Sequence, residues 1–260
     1  MKISVAGAGA GKTTAMASKI IDAFTSIEDH KNIYCLAFTN AAVSRIKEKL
    51  CEHYAEIPSN IIVCTIHSFF YQEIISPYYF LLFGKQYERI SPINLPEDAS
   101  YKNKKIRELD DRGIIHVSVI PQRAKWIVVK KSGDKKKDRY IRAQLMNTLF
   151  CYCGKIFIDE AQDIDDDTSA IIQTLDAAGI PIELIGDPKQ DLRGHGSFRK
   201  LLNAHEADTS YVSTCYRCPQ QHLRISNMLV PDEEKQISEK EEGVVDLVFE
   251  SNAQPLKFIA

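Results

Sequence analysis

The first fourteen residues constrain the fold of this chain more than any other stretch. The apolar run Ile3-Ser4-Val5 predicts a short buried strand, and the run from Ala15 to Phe24 predicts a helix. Between them lies a loop of small residues that ends in Gly-Lys-Thr-Thr, Ala6-Gly7-Ala8-Gly9-Ala10-Gly11-Lys12-Thr13-Thr14. A strand, a glycine-rich loop and a helix in this order are the arrangement that wraps a nucleotide phosphate.

The loop predicts a site for nucleotide phosphates and for Mg²⁺. Small residues let successive backbone N–H groups point inward, and the following helix adds its positive N-terminal end. Lys12 would contact the β- and γ-phosphates, and the Thr13 hydroxyl would bind Mg²⁺. The expected nucleotide contacts are Gly7, Ala8, Gly9, Ala10, Gly11, Lys12, Thr13 and Thr14. A plain flexible turn is the alternative, whereas a secretory signal is excluded because the apolar stretch is too short and too rich in glycine.

Composition describes a globular, cytoplasmic protein. The 260 residues suit one large or two modest domains, with 44% hydrophobic and 26% charged residues. No apolar run is long enough to span a bilayer. Seven scattered cysteines indicate a reducing compartment. Cys215-x-x-Cys218 and Cys151-x-Cys153 leave open a four-thiolate metal site, but we expect these cysteines to be small buried hydrophobic residues.

Further apolar runs predict an α/β fold with a parallel sheet. The expected strands are Ile33–Phe38, Ile61–Thr65, Lys155–Glu160, Ile182–Asp187 and Tyr211–Thr214. Thr39 or Asn40 is a suitable N-cap for a helix after the first of these strands. Asp159 and Glu160 end an apolar strand, which puts two carboxylates at the carboxyl edge of the sheet, where ligands bind in such folds. Asp159 would hold Mg²⁺, and Glu160 could polarise the attacking water.

The segment from about Pro77 to Arg139 lacks this alternation and becomes strongly basic. From Tyr101 to Leu145 there are fourteen Lys or Arg against five Asp or Glu, a balance of +9. Trp126–Val129 reads as a strand before a Ser132-Gly133-Asp134 turn, and lysines flank that turn at positions 130, 131 and 135–137. Such a hairpin tip could contact nucleic-acid phosphates or could simply be solvated, and both alternatives stay open.

Six motifs in chain order resemble those of the UvrD/Rep-type superfamily 1 DNA helicases. They are the phosphate loop, Ala37-Phe38-Thr39-Asn40-Ala41-Ala42, Thr65-Ile66-His67-Ser68-Phe69, Asp159-Glu160-Ala161-Gln162-Asp163, Gly186-Asp187-Pro188-Lys189-Gln190 and Tyr216-Arg217. The resemblance implies a RecA-like P-loop ATPase domain over residues 1–76 and 140–230. It also implies a 1B-like basic insert over 77–139, and a linker and the start of an incomplete second RecA-like domain over 231–260.

The resemblance also implies roles for individual residues. Lys12, Asp159, Glu160, Gln190 and Arg217 would be catalytic, with Glu160 as the water-activating base and Gln190 and Arg217 at the γ-phosphate. Gln162 would couple the nucleotide state to DNA. Residues that match single-strand contacts in the family are Thr39, Asn40, Thr65 and His67.

Several positions depart from the family pattern. The glutamine motif that reads adenine normally precedes the phosphate loop, and this chain begins too close to the loop to contain it. Ala41 replaces a lysine, and Arg193 or His195 would stack on bases in place of the usual aromatic residue. The last two family motifs, with the second arginine finger, are missing, so we expect a truncated or partly ordered helicase subunit.

The short insert and the Tyr-Arg-Cys variant also resemble helicase subunits of bacterial anti-phage systems such as Gabija, where the helicase accompanies a TOPRIM-type nuclease. The leading interpretation is an ATP-driven translocase on single-stranded or partly duplex DNA. The alternative is a nucleotide-gated DNA-sensing subunit of a defence complex that does not separate strands. A generic P-loop kinase or ATPase is disfavoured by Thr39-Asn40 and Thr65-x-His67.

Overall fold

A computed structural model describes residues 1–240 and residue 243. The chain divides into two compact units. The first comprises Met1–Val5 and Lys12–Ser210, and the second comprises Ala6–Gly11 with the described residues from Tyr211 onward. Among these residues, no helix has the length and apolar character needed to cross a bilayer.

Strands and helices alternate along most of the chain. The strands are β1 (Lys2–Ala6), β2 (Asn32–Ala37), β3 (Ile61–Thr65), β4 (Arg89–Ser91), β5 (Ile114–His116), β6 (Cys153–Ile158), β7 (Ile182–Gly186) and β8 (Thr209–Val212). The α-helices are α1 (Lys12–Ser26), α2 (Asn40–Cys51), α3 (Ile66–Phe69), α4 (Ser76–Phe83), α5 (Ala99–Asp111), α6 (Ile120–Val128), α7 (Lys136–Tyr152), α8 (Asp166–Ala177), α9 (Ser197–Ala204) and α10 (Gln220–Asn227).

Six strands form one sheet in the order β3-β2-β6-β7-β1-β8. The pairs β3–β2, β2–β6, β6–β7 and β7–β1 are parallel. Their register aligns Ala37 with Thr65, Leu36 with Ile158, and Val5 with Gly186, so the strands end at a common edge. The predicted α/β class with a parallel sheet is confirmed, and the motifs that follow β2, β3, β6 and β7 meet at that edge.

Both faces of the sheet are buried, as expected for parallel strands with crossover helices. Tyr34 and Leu36 point into one apolar cluster, while Cys35 between them points into the other. Helices α6, α7, α8 and α9 contribute to the first cluster, and α1 and α2 cover the opposite face. This two-sided burial explains why the sheet strands read as continuous apolar runs.

The basic segment differs from its prediction. Trp126–Val129 is not a strand, because Trp126 to Val128 form the last turn of α6. Its buried residues Ile120, Ala124, Ile127 and Val128 recur at helical spacing, and Pro121 suits the first turn of a helix. A turn between helices α6 and α7 therefore takes the place of the predicted β-hairpin.

A buried arginine holds this turn in place. Arg142 Nε donates to Asp134 Oδ2 at 2.9 Å, and Arg142 also donates to the carbonyls of Trp126 and Ile127. The side chains of Lys135, Lys136 and Lys137, at the start of α7, are exposed. These three lysines could contact nucleic-acid phosphates or could simply be solvated, and both alternatives stay open.

The predicted domain boundaries remain a prediction. Residues 77–139 lie in the same compact unit as the sheet, where β4 and β5 form a separate two-stranded parallel ladder. The predicted linker includes buried side chains at Glu234, Gln236 and Ser238. The apolar run Gly243–Phe249 predicts a further strand, and apart from Gly243 it lies outside the described residues.

Candidate nucleotide site

Asp159 follows β6 and is the most deeply placed acid at the sheet edge. It is only 1% exposed, and its backbone N–H donates to the carbonyl of Leu36 at 2.9 Å. Burial, followed by the negative charge of Glu160, raises the pKa of Asp159 to about 6. The positive charges of Lys12 and Arg45 act in the opposite direction. The structure therefore brings Lys12, Asp159 and Glu160 together, as the sequence predicted.

Glu160 adopts a strained backbone conformation. Its φ of 55° and ψ of 46° lie in the left-handed region, and it is the only non-glycine residue with a positive φ in the described part of the chain. A non-glycine residue in this region costs of order 1–3 kcal/mol and persists only where its surroundings impose it. The conformation turns the chain sharply after β6 and leaves the Glu160 side chain partly exposed beside the buried Asp159.

Gln162 fixes the position of Glu160. Its Nε2 donates to Glu160 Oε2 at 2.9 Å, and its Oε1 accepts from the backbone N–H of Asp187 at 3.0 Å. A Cβ on Gly186 would lie 3.0 Å from Gln162 Oε1, so the glycine allows this close approach. The buried amide thus links the ends of β6 and β7.

Gln190 belongs to the same hydrogen-bond network. Its Nε2 donates to Asp187 Oδ2 at 2.7 Å, while Asp187 Oδ1 accepts from the backbone N–H of Lys189 at 3.1 Å. Asp187 is 1% exposed. The chain of contacts Glu160–Gln162–Asp187–Gln190 is continuous across the sheet edge.

Two oxygen ligands of the first compact unit suit Mg²⁺. Thr13 in α1 and Asp159 offer a hydroxyl and a carboxylate, the oxygen ligands that Mg²⁺ takes together with substrate phosphates. The burial that raises the pKa of Asp159 would be offset by a bound cation. Within residues 1–240 and 243, no group of three or more His, Cys, Asp or Glu side chains could hold a metal alone. Of the four cysteines expected to be buried, Cys153 and Cys215 are buried, but Cys151 is exposed and Cys218 is partly exposed.

The phosphate loop belongs to the second unit, where residues later in the chain form hydrogen bonds with it. Gly9 and Gly11 have φ of 76° and 74°, which favours glycine. The backbone N–H of Tyr216 donates to the Gly9 carbonyl at 2.9 Å, and Gln236 Nε2 donates to the Ala8 carbonyl at 3.3 Å. Arg217 also approaches the loop, because a Cβ on Gly9 would lie 2.5 Å from Arg217 Cβ.

The predicted single-strand contacts cap helices at the sheet edge. Thr39 Oγ1 accepts from the backbone N–H of Ala42 at 3.1 Å, which makes it the N-cap of α2, and Asn40 is exposed at the first position of that helix. Thr65 Oγ1 accepts from the backbone N–H of Ser68 at 3.1 Å and caps α3. These contacts bear out the capping alternative for Thr39 and leave a nucleic-acid role as a prediction.

Arg193 lies close enough to His67 for its positive charge to affect the pKa of that imidazole. Burial lowers the pKa of His67, Asp165 raises it, and Arg193 lowers it further. Burial also raises the pKa of Asp163, against which the nearby charge of Arg193 acts. Arg193 is exposed in a loop held by Asp191, whose carboxylate accepts from the backbone N–H groups of His195 and Gly196. An exposed guanidinium thus lies near the predicted contact His67.

Three residues of these sites were not singled out from the sequence. Arg45 Nη2 lies 3.9 Å from Glu160 Oε1, Asp187 anchors Gln190, and Gln236 contacts the phosphate loop. Asp187 follows an apolar strand, as Asp159 does, and that position could have identified it. Arg45 and Gln236 carry no such signal, because long-range folding alone brings Arg45 to Glu160 and Gln236 to the phosphate loop.

Family comparison gives the class of protein. A family model described as an AAA domain matches residues 1–194. The chain belongs to this family of P-loop domains, of the UvrD-like helicase type that its motifs resemble.

One curated relative is the Gabija protein GajB of Bacillus cereus (strain VD045). The two sequences are 30% identical over 250 residues, which cover 91% of this chain and 48% of the relative. The chain therefore spans about half the length of the curated relative that it matches.

Proposed function

We propose that this chain is the motor portion of an ATP-dependent translocase that acts on single-stranded DNA. The observation that carries the proposal is the joint placement of Lys12, Asp159 and a strained Glu160 at the carboxyl edge of the sheet. This edge is where ligands bind in open α/β folds. UvrD-like family membership supports the choice of a DNA-dependent motor over other P-loop enzymes.

The proposed division of labour follows from the chemistry of each side chain. Lys12 neutralises charge on the β- and γ-phosphates, while Thr13 and Asp159 would hold Mg²⁺, which supplies further charge neutralisation when it is bound. Glu160 accepts a proton from the attacking water. Its strained backbone and its bond from Gln162 hold the carboxylate in one orientation before the substrate arrives.

The hydrogen-bond chain from Glu160 to Gln190 supports a sensing role. A γ-phosphate that engages Gln190 would compete for its bond to Asp187. Asp187 and Glu160 share Gln162 as a hydrogen-bond partner. A shift of Asp187 would therefore move Gln162 and, through it, the carboxylate of the proposed base Glu160. We propose that this network reports the nucleotide state.

The DNA path is proposed along the same edge, past Thr39, Asn40, Thr65, His67 and Arg193. An exposed arginine can stack on a base and contact phosphate, which suits sequence-independent single-strand binding. The exposed lysines at 135–137 would add phosphate contacts. The proposed boundaries are 1–76 and 140–230 for the RecA-like domain, 77–139 for the insert, and 231–260 for the start of a second motor domain.

A role in anti-phage defence, with a nuclease as partner subunit, is proposed from the relative named as a Gabija protein. The alternative within that role is a DNA-sensing subunit gated by nucleotide that does not separate strands. The two proposals differ in whether the full-length protein moves along DNA and displaces a strand, whereas DNA-stimulated hydrolysis separates the translocase from a generic P-loop ATPase.

The test compares the chain with Lys12→Ala and with Lys47→Ala, which removes an exposed lysine from α2. We expect the chain and Lys47→Ala to bind a fluorescent ATP analogue and to hydrolyse ATP slowly, faster with single-stranded DNA. Lys12→Ala should lose turnover by about 10²-fold or more. If DNA does not change the rate of hydrolysis, the translocase proposal is refuted. If DNA stimulates hydrolysis but the full-length protein displaces no strand, the sensing subunit is the better proposal. Full activity of folded Lys12→Ala would refute nucleotide chemistry at this loop.

A further inference from the structure

Two cysteines of the second unit are in contact with each other and with the phosphate loop. Cys215 is 2% exposed, and its Sγ donates to the carbonyl of Ala8 at 3.3 Å. The backbone N–H of Cys218 donates to Cys215 Sγ at 3.4 Å. Cys218 is partly accessible to solvent.

The sulfur of Cys215 is part of the support of the loop. A Cβ on Gly9 would lie 3.1 Å from Cys215 Sγ, so the sulfur packs directly against the loop backbone. The Ala8 carbonyl accepts from Cys215 Sγ and from Gln236 Nε2, both at 3.3 Å. Any reaction at Cys215 Sγ therefore changes one of the two donors to Ala8.

The pair has no other evident chemistry. In the described part of the chain, no third His, Cys, Asp or Glu joins it to make a metal site. A buried cysteine is usually an inert small hydrophobic residue. That description fits Cys215 by itself, but it does not explain a second, partly accessible cysteine whose backbone N–H donates to the first sulfur.

We propose that Cys215 and Cys218 form a reversible disulfide, and that this bond weakens nucleotide binding by the phosphate loop. The inference rests on the proposed function, since it takes the loop to bind nucleotide. The oxidant is a low-molecular-weight disulfide.

The reaction proceeds by two thiol–disulfide exchanges. The accessible Cys218 thiolate attacks one sulfur of the small disulfide, and the other sulfur leaves as a thiolate that takes up a proton. Cys215 Sγ then loses its proton and attacks Cys218 Sγ, which releases the second small thiol. The protein loses two protons and two electrons, and the small disulfide takes up both to become two thiols.

Oxidation removes the Cys215 S–H that donates to Ala8 and draws the sulfur toward Cys218. A net intramolecular hydrogen bond is worth about 1 kcal/mol, equivalent to about a fivefold change in an equilibrium constant. We therefore expect the Kd for ATP to rise about three- to tenfold on oxidation. The pKa of Cys218 is raised by burial and by the neighbouring Cys215, so oxidation is slow at neutral pH and must be taken to equilibrium.

The experiment uses the 260-residue chain with the exposed Cys51 and Cys151 changed to Ser, so that they form no mixed disulfides. The protein is equilibrated in reduced or oxidised glutathione, its free thiols are alkylated, and the bridge is mapped by peptide mass spectrometry. Binding of a fluorescent ATP analogue is measured on both forms. Cys218→Ser keeps the bond from Cys215 to Ala8 and should bind equally in both buffers.

Cys215→Ala tests the physical cause without oxidation. It removes the donor to Ala8, and we expect its reduced form to bind the analogue three- to tenfold more weakly than the parent. A bridged protein that binds as tightly as its reduced form would overturn the inference, as would failure of the bridge to form. If the reduced parent itself binds no nucleotide, the proposed function fails instead.

Discussion

The buried carboxylate of Asp159 predicts a conflict between stability and function that can be measured. With no ligand bound, burial raises its pKa from about 3.8 to about 6. Because the native state then holds the proton more tightly than the unfolded state, the ionised carboxylate destabilises the fold. The penalty is absent below about pH 4 and complete above about pH 6. At about 1.4 kcal/mol per pKa unit, it reaches about 3 kcal/mol.

Asp159→Asn should remove that penalty, since an amide oxygen can still accept the 3.0 Å bond from the Glu160 N–H. Without nucleotide or Mg²⁺ at about pH 7.5, we expect the free energy of unfolding of the variant to exceed that of the parent by about 1 to 3 kcal/mol. At about pH 4, the two free energies of unfolding should be equal. Urea unfolding at both pH values measures this. Asp29→Asn, on an exposed carboxylate, should stay within about 0.5 kcal/mol of the parent.

With Mg²⁺ and ATP present, the order should reverse, because ligand binding stabilises only a protein that can bind it. The parent should gain stability and Asp159→Asn should gain little. An Asn variant that is less stable than the parent at pH 7.5 without ligand would show that native contacts favour the ionised carboxylate. The argument from burial would then be refuted.

Three further predictions concern Glu160, Gln162 and the exposed lysines at 135–137. Glu160→Gln should keep binding of an ATP analogue with Mg²⁺ yet stop hydrolysis, measured as phosphate release, because an amide cannot take a proton from water. Gln162→Leu should lower the free energy of unfolding by about 1–3 kcal/mol in urea, since the buried N–H of Asp187 loses its acceptor. Changing Lys135–Lys137 to Ala should lower the slope of log K against log salt by up to about 2 for single-stranded DNA, and an unchanged slope would favour a solvated turn.

Much of the fold could be predicted because its signals are local. The buried runs of β2, β3, β6 and β7 are continuous in sequence, and each is followed by the motif that it positions. Trp126–Val129 was misassigned because a short apolar run fits a strand as well as a helix end. The spacing of Ile120, Ala124 and Ile127 carried the helical signal.

The remaining parts of the site could not be read from local patterns. The left-handed backbone of Glu160 is imposed by its surroundings, and nothing in the residue type announces it. The contacts of Ala8 with Cys215 and Gln236 join positions separated by 207 and 228 residues. Such distant pairings depend on how the completed chain folds back.

That long separation has a consequence for the order of synthesis. The phosphate loop is synthesised 207 residues or more before the residues that support it, which are Cys215, Tyr216 and Gln236. At about 5–20 residues per second, synthesis of these residues follows that of the loop by roughly ten to forty-five seconds. A nascent chain would thus reach the nucleotide-binding form of this loop only after Gln236 has been made, so ATP cannot bind that form before this point of synthesis.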